Sequence, residues 1–174
     1  MGNFETDREF YSVLLADLSR TYDPSLEILT DLYVHASSAF ADVSPFLETM
    51  SRSYRMVLAS NYVGQWAARI LEFNGWRPYF SGSLVSSTCR FRKPSRQFFS
   101  ELLKIAYASP SQVLMVGDSP VNDVYGARAA GLRSVLLDRD ETTHEQTDKD
   151  FLWFSSLREL AQCLTPERAV SPHR

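Results

Sequence analysis

Apolar residues recur at helical spacing over residues 4–20 (Phe4, Tyr11, Leu14, Leu15, Leu18). They do so again over 25–40, as Leu26, Leu29, Leu32, Tyr33, Ala36 and Phe40. Asp23-Pro24 supplies a start signal for the second stretch, and Pro45 opens a short third helix through Phe46, Leu47 and Met50. The period then changes. Residues 55–59 form a short apolar run ending at Ser60-Asn61, the pattern of a buried strand meeting a loop. A helix carrying Trp66, Ile70 and Leu71 follows and closes at Asn74-Gly75. The Ser- and Gly-rich stretch 82–88 has room for a short strand at Leu84-Val85. Phe98, Leu102, Ile105 and Ala106 mark a helix over 94–107 with Pro94 in its first turn. Residues 112–116 read as a strand, and Asp118-Ser119-Pro120 caps a helix that stops at Gly131. Further strands are expected at 134–137 and 151–154, then a helix over 156–164 and a frayed polar tail over 166–174.

Strands alternating with helices at this spacing predict an α/β fold with a parallel, doubly wound, Rossmann-like sheet. The two helices ahead of the first strand predict a partial helical cap over 1–42, set apart from an α/β core over 43–165. With 174 residues, 44% of them hydrophobic and 22% charged, the chain suits one domain. A chain of this size buries about 70% of its unfolded surface, which excludes disorder and a disulfide-stapled miniature. The 18 basic and 21 acidic residues give a net charge of −3, so neither nucleic acid nor an anionic membrane is an expected partner. No apolar run nears the roughly 20 residues that span a bilayer, and Glu5, Asp7 and Glu9 stand where a signal peptide is apolar. Cys89 and Cys163 read as free thiols in a reducing cytoplasm.

In such a sheet, sites form beyond the carboxyl ends of the strands. Three segments put polar groups there. Ser60-Asn61 offers a hydroxyl and backbone N–H groups to an anion; its plain alternative is a helix cap. Lys93-Pro94, within Arg90-Phe91-Arg92-Lys93-Pro94-Ser95-Arg96, puts a point charge beside a phosphate-sized site; its alternative is a solvated basic loop. The third, residues 116–123, is the most specific. Gly117 permits a tight turn, Asp118 points out of the sheet, and Asp123 lies one turn into the next helix. Two carboxylates at a strand end suit Mg²⁺, an oxygen-seeking ion that keeps several waters. Helix capping accounts for Ser119 but not for Asp118 beside Gly117. His35, His144 and His173 have no zinc-ligand spacing.

The order Ser60-Asn61, Lys93-Pro94, Gly117-Asp118-Ser119 with Asn122-Asp123, and Gly126-Ala127 through Ala130-Gly131 resembles the haloacid dehalogenase-like (HAD) hydrolase superfamily. The likeness is to its branch with a helical cap and runs from about 45 to 164. It implies that Ser60 and the N–H of Asn61 hold a phosphoryl oxygen. It further implies that Lys93 neutralises nucleophile and phosphoryl charge, and that Asp118 holds Mg²⁺ with support from Asp123. Because the family's dehalogenases use no metal and carry a Ser-Asn pattern at that point, a Mg²⁺-dependent phosphatase of a small phosphorylated metabolite is the expected activity.

The family's first motif, an Asp-x-Asp pair after an apolar strand, has no counterpart before Ser60; Asp7, Asp17, Asp23, Asp31 and Asp42 follow no strand pattern. A chain that lacks its central first strand and nucleophile is therefore expected. The alternative is an inactive phosphate- or partner-binding module, with a partner chain or homodimer mate covering an exposed sheet edge. One further alternative stays open. The strand at 134–137 runs into Asp138-Arg139-Asp140-Glu141-Thr142, so a circular permutant would use Asp138 as nucleophile.

Overall fold

The chain's structure, a computed structural model, describes residues 34–35, 39–141 and 151–165. The expected helix over 4–20 and the tail over 166–174 lie outside these residues. Val34 and His35 are helical and residues 39–40 are not, so the helix expected over 25–40 stops short of its predicted end.

The elements follow the apolar pattern in order. Helix α1 (Val43–Met50) buries Leu47 and Met50, one turn apart on one face. The apolar Val57-Leu58-Ala59 then forms β1 (Val57–Ser60), and α2 (Gly64–Phe73) crosses over to β2 (Gly82–Val85). Crossover helices are what parallel neighbours require, and β1 and β2 pair in parallel with Ser60 opposite Val85. A short α3 (Ser86–Cys89) and the longer α4 (Arg96–Ala106) lead to β3 (Leu114–Gly117). A π-helical turn (Pro120–Tyr125) and α5 (Gly126–Ala129) connect β3 to β4 (Arg133–Leu137). Strand β5 (Leu152–Phe154) and helix α6 (Leu157–Leu164) complete the described elements. The second sheet is also parallel, in the order β3-β4-β5. Among the described residues the α/β class and parallel pairing hold, with the strands in two hydrogen-bonded groups.

One core joins the two groups. Helix α4 inserts Phe98 and Phe99, both fully buried, and Leu102; they meet Leu84 of β2, Met115 of β3, Ala127 of α5 and Leu132. Val57 and Ala59 of β1 pack against the same cluster. Full burial of a side chain such as Phe98 contributes about 1.5–3 kcal/mol, which is why this one helix can hold both sheets. A second cluster of Val135, Phe154 and Leu160 takes in Phe46 of α1 and Leu157 of α6.

Three local expectations change. Pro94 lies outside α4: the helix starts at Arg96, and Ser95 is its cap, its hydroxyl accepting from the Phe98 N–H at 3.3 Å. Asn61 and Ser60 do not cap α2, whose N-cap is Val63 without a side-chain bond. The helix expected from Ser119 to Gly131 is divided, because the Ser119 carbonyl accepts from both the Asp123 N–H (2.8 Å) and the Val124 N–H (3.3 Å). The second of these bonds widens the turn beyond an α-helical one, a feature that recurs at functional sites.

Candidate active site at the strand ends

Lys93 is the centre of the arrangement. It precedes a cis peptide bond to Pro94 and is only 7% exposed. Its Nζ donates to the carbonyl of Ala59 near the end of β1 (3.0 Å) and to Oδ1 of Asp123 in the π-helical turn after β3 (2.6 Å). A single ammonium thus ties the carboxyl ends of the two strand groups together. Asp123 is 2% exposed, and its other oxygen, Oδ2, accepts from the Ser119 N–H at 3.0 Å. A buried charge needs a partner and satisfied lone pairs, and here both are provided.

The glycines explain how the backbone comes so close. A Cβ on Gly117 would overlap the Asp123 carboxylate, so only glycine lets the carboxylate lie over the end of β3. A Cβ on Gly126 would sit 2.7 Å from Cβ of Pro94, so that glycine lets the lysine loop press against the start of α5.

Ser60 ends β1, half-buried, and among the described residues nothing accepts from or donates to its hydroxyl. Asn61 uses its side chain differently from the expectation of a cap. Its Nδ2 donates to the Lys93 carbonyl (2.9 Å), and its Oδ1 accepts from the Lys93 N–H (2.8 Å). Asp118, immediately beyond β3, is exposed, and among the described residues no basic side chain pairs with it. The structure therefore joins Asn61, Lys93 and Asp123 through hydrogen bonds and sets Ser60 between Ala59 and Asn61 at the end of β1. It leaves Asp118 at the rim beside them.

Two participants left no signal in the sequence: the Ala59 carbonyl and the Ser119 N–H are backbone groups. Asp138, the candidate of the permuted reading, is buried at the end of β4, next to β3, and its N–H donates to the Phe154 carbonyl on the β5 side. Cys89 and Cys163 form no disulfide and are half-buried. Among the described residues no helix is long and apolar enough to cross a membrane.

A family profile for haloacid dehalogenase-like hydrolases matches residues 5–131. The chain belongs to this family. The HAD-like chain is 31% identical over 122 residues to a phosphoserine phosphatase of Thermus thermophilus, covering 70% of itself and 49% of that relative. It thus spans about half of the relative's length. Among solved structures, the fold matches a HAD phosphatase from Thermococcus onnurineus with a TM-score of 0.76 and 23% identity, over 92% of this chain and 71% of the other. It also matches the HAD-hydrolase YfnB of Bacillus subtilis, bound to magnesium, with a TM-score of 0.71 and 21% identity over 91% and 71% of the two chains. At such identities the structural matches speak for the fold. The HAD-like architecture accounts for the siting of the Lys93 cluster, since the carboxyl edge of a doubly wound sheet is where its polar loops converge.

Proposed function

We propose that this HAD-like chain acts on phosphate monoesters of small metabolites as a Mg²⁺-dependent phosphatase. One observation carries the reading. A lysine ammonium has three N–H donors, and the described residues use two, on Ala59 and Asp123. The third donor serves a phosphoryl oxygen, together with the Ser60 hydroxyl at the end of β1 and the backbone N–H of Asn61, the next residue. The buried ammonium neutralises phosphoryl charge in a site where water screens it little. Asp123 holds the ammonium in place.

Mg²⁺ fits the residues on hand. Asp123 spends one oxygen on Lys93 and the other on Ser119, which leaves Asp118 as the open carboxylate. Among the described residues no group of three His, Cys, Asp or Glu side chains could hold a metal. One carboxylate completed by phosphate oxygens and water suits Mg²⁺, whereas zinc needs three or four protein ligands. When bound, the ion would add positive charge at a phosphoryl oxygen.

The test is phosphate release from a panel of phosphomonoesters, with and without Mg²⁺, by the chain and by its Lys93→Ala and Asp118→Asn variants. Release that needs Mg²⁺ and falls at least about a hundredfold in Lys93→Ala supports the reading. Release that ignores both changes sinks it.

Among the described residues no strand pairs with the outer edges of β1 and β3, which favours a second reading: a phosphate-binding or partner-binding module without turnover. A partner chain or dimer mate would then cover an edge that otherwise invites pairing. Thermal stabilisation by phosphate without hydrolysis selects that reading. Loss of activity in Asp138→Asn, with Asp118→Asn active, selects the permuted one.

A further inference from the structure

We infer that the Asn61 side chain is a positioning residue, which sets the Lys93 ammonium in register with Ser60 by clamping the lysine's main chain. The inference deepens the phosphatase reading and rests on it for its purpose, not for its geometry.

The clamp is a matched pair. The Asn61 amide donates to the Lys93 carbonyl at 2.9 Å and accepts from the Lys93 N–H at 2.8 Å, across 32 positions of sequence. Two residues earlier on the same strand end, the Ala59 carbonyl takes the ammonium of that lysine. Residues 59 and 61 thus hold Lys93 at its head and at its main chain, and Ser60 lies between them. A long, flexible side chain gives a poorly placed charge unless its stem is fixed. Here the stem starts from a main chain fixed by two hydrogen bonds, in a loop whose neighbours Arg90 and Phe91 are exposed.

Side-chain chemistry selects asparagine. The clamp needs a donor and an acceptor on one short planar group. Aspartate keeps the acceptor and loses the donor, and alanine loses both.

The experiment is trace acetylation of the full chain with acetic anhydride, with each lysine followed by peptide mass spectrometry. The chain has three lysines, Lys93, Lys104 and Lys149, and exposed Lys104 is the internal reference. In the parent, Lys93 should react far more slowly than Lys104. Asn61→Ala should raise the Lys93-to-Lys104 ratio roughly tenfold, the scale set by losing two hydrogen bonds. Asn61→Asp should fall between, and it carries the test if the alanine variant fails to fold.

Asn74→Ala controls for general loosening. It removes another half-buried side-chain bond, Asn74 Nδ2 to the Ile70 carbonyl at 2.9 Å, far from Lys93 in sequence. A ratio unchanged in both Asn61 variants overturns the inference, as does a ratio raised equally by Asn74→Ala. Calorimetric titration with inorganic phosphate and Mg²⁺ separates the two claims. A parent that binds no phosphate defeats the functional reading, while the acetylation ratio still decides the clamp.

Discussion

Two ion pairs of this chain invert each other's design. Lys93 and Asp123 meet through one contact of 2.6 Å, with side chains 8% and 3% exposed. Arg139 and Asp42 meet through two, at 3.1 and 3.0 Å, with side chains 20% and 11% exposed. The arginine fork fills both oxygens of its carboxylate, and Asp42 Oδ2 also accepts from the Leu157 N–H at the start of α6 (2.8 Å). The guanidinium carbon lies 3.9 Å from the centre of the Phe40 ring. Both Asp42 oxygens are engaged, and the pair works as a clasp among the segment before α1, the end of β4 and α6. The lysine pair is more deeply buried, and the described residues engage two of its three donors. Both cations have N–H donors beyond those in their ion pair, but the lysine holds its own in a site almost closed to water between two strand ends, and that depth separates the site from the scaffold.

The sharpest way to break the comparison is to remove one partner of each pair. Asp123→Ala strands a buried ammonium and should cost about 3–5 kcal/mol in urea unfolding. Removing Lys93 as well should recover a large part of that loss, because no buried charge then lacks its partner. Asp42→Asn should cost less, about 2 kcal/mol, since its partners are closer to water and can be rehydrated. It should also leave phosphate affinity unchanged, and a parallel loss of affinity would erase the distinction drawn between the pairs.

Acid sharpens it further. Burial pushes the Asp42 carboxyl up, but the Arg139 hydrogen bond, the Leu157 N–H and the Arg139 charge together outweigh it and hold the group below its ordinary value of 3.8. A depressed carboxylate adds stability that is present above that value and is lost as pH falls through the folded-state value. The stability gap between the parent and Asp42→Asn should therefore stay constant from about pH 5 to 7 and close below 3.8. A gap that instead closes as pH rises would mean that the carboxylate does not carry the clasp. The smallest effect belongs to a polar atom in neither pair. Among the described residues the buried Ser134 Oγ finds no hydrogen-bond partner, so Ser134→Ala should leave the melting temperature unchanged or raise it slightly.

Much of the sheet was legible because its signal is local. Strands β1, β3, β4 and β5 fall on apolar runs and β2 on the Leu84-Val85 pair of a Ser- and Gly-rich stretch, all within two residues of the expected limits. The misses share one cause. Pro94 stands where a helix start is usual, but it packs against Gly126, and the helix starts at Arg96 with Ser95 as its cap. Ser119 is the cap that its sequence position announces, its Oγ accepting from the Asn122 N–H at 3.2 Å, but the turn it opens is π-helical, with Asp123 folded back onto the Ser119 N–H. Asp42 follows no strand and looked inert, because its partners Arg139 and Leu157 lie 97 and 115 positions away.

By itself the sequence determined the element types, the parallel α/β class and the residue kinds gathered at the strand ends. Hydrophobic period and turn residues act over a few positions and survive any rearrangement of the chain. Tertiary structure alone decided which groups the Lys93 ammonium engages, that the Asn61 side chain grips a main chain instead of capping a helix, and which ion pair is the clasp. Those outcomes are hydrogen bonds closed across 30 residues or more, several to backbone groups that every residue carries alike, so no side-chain pattern can announce them.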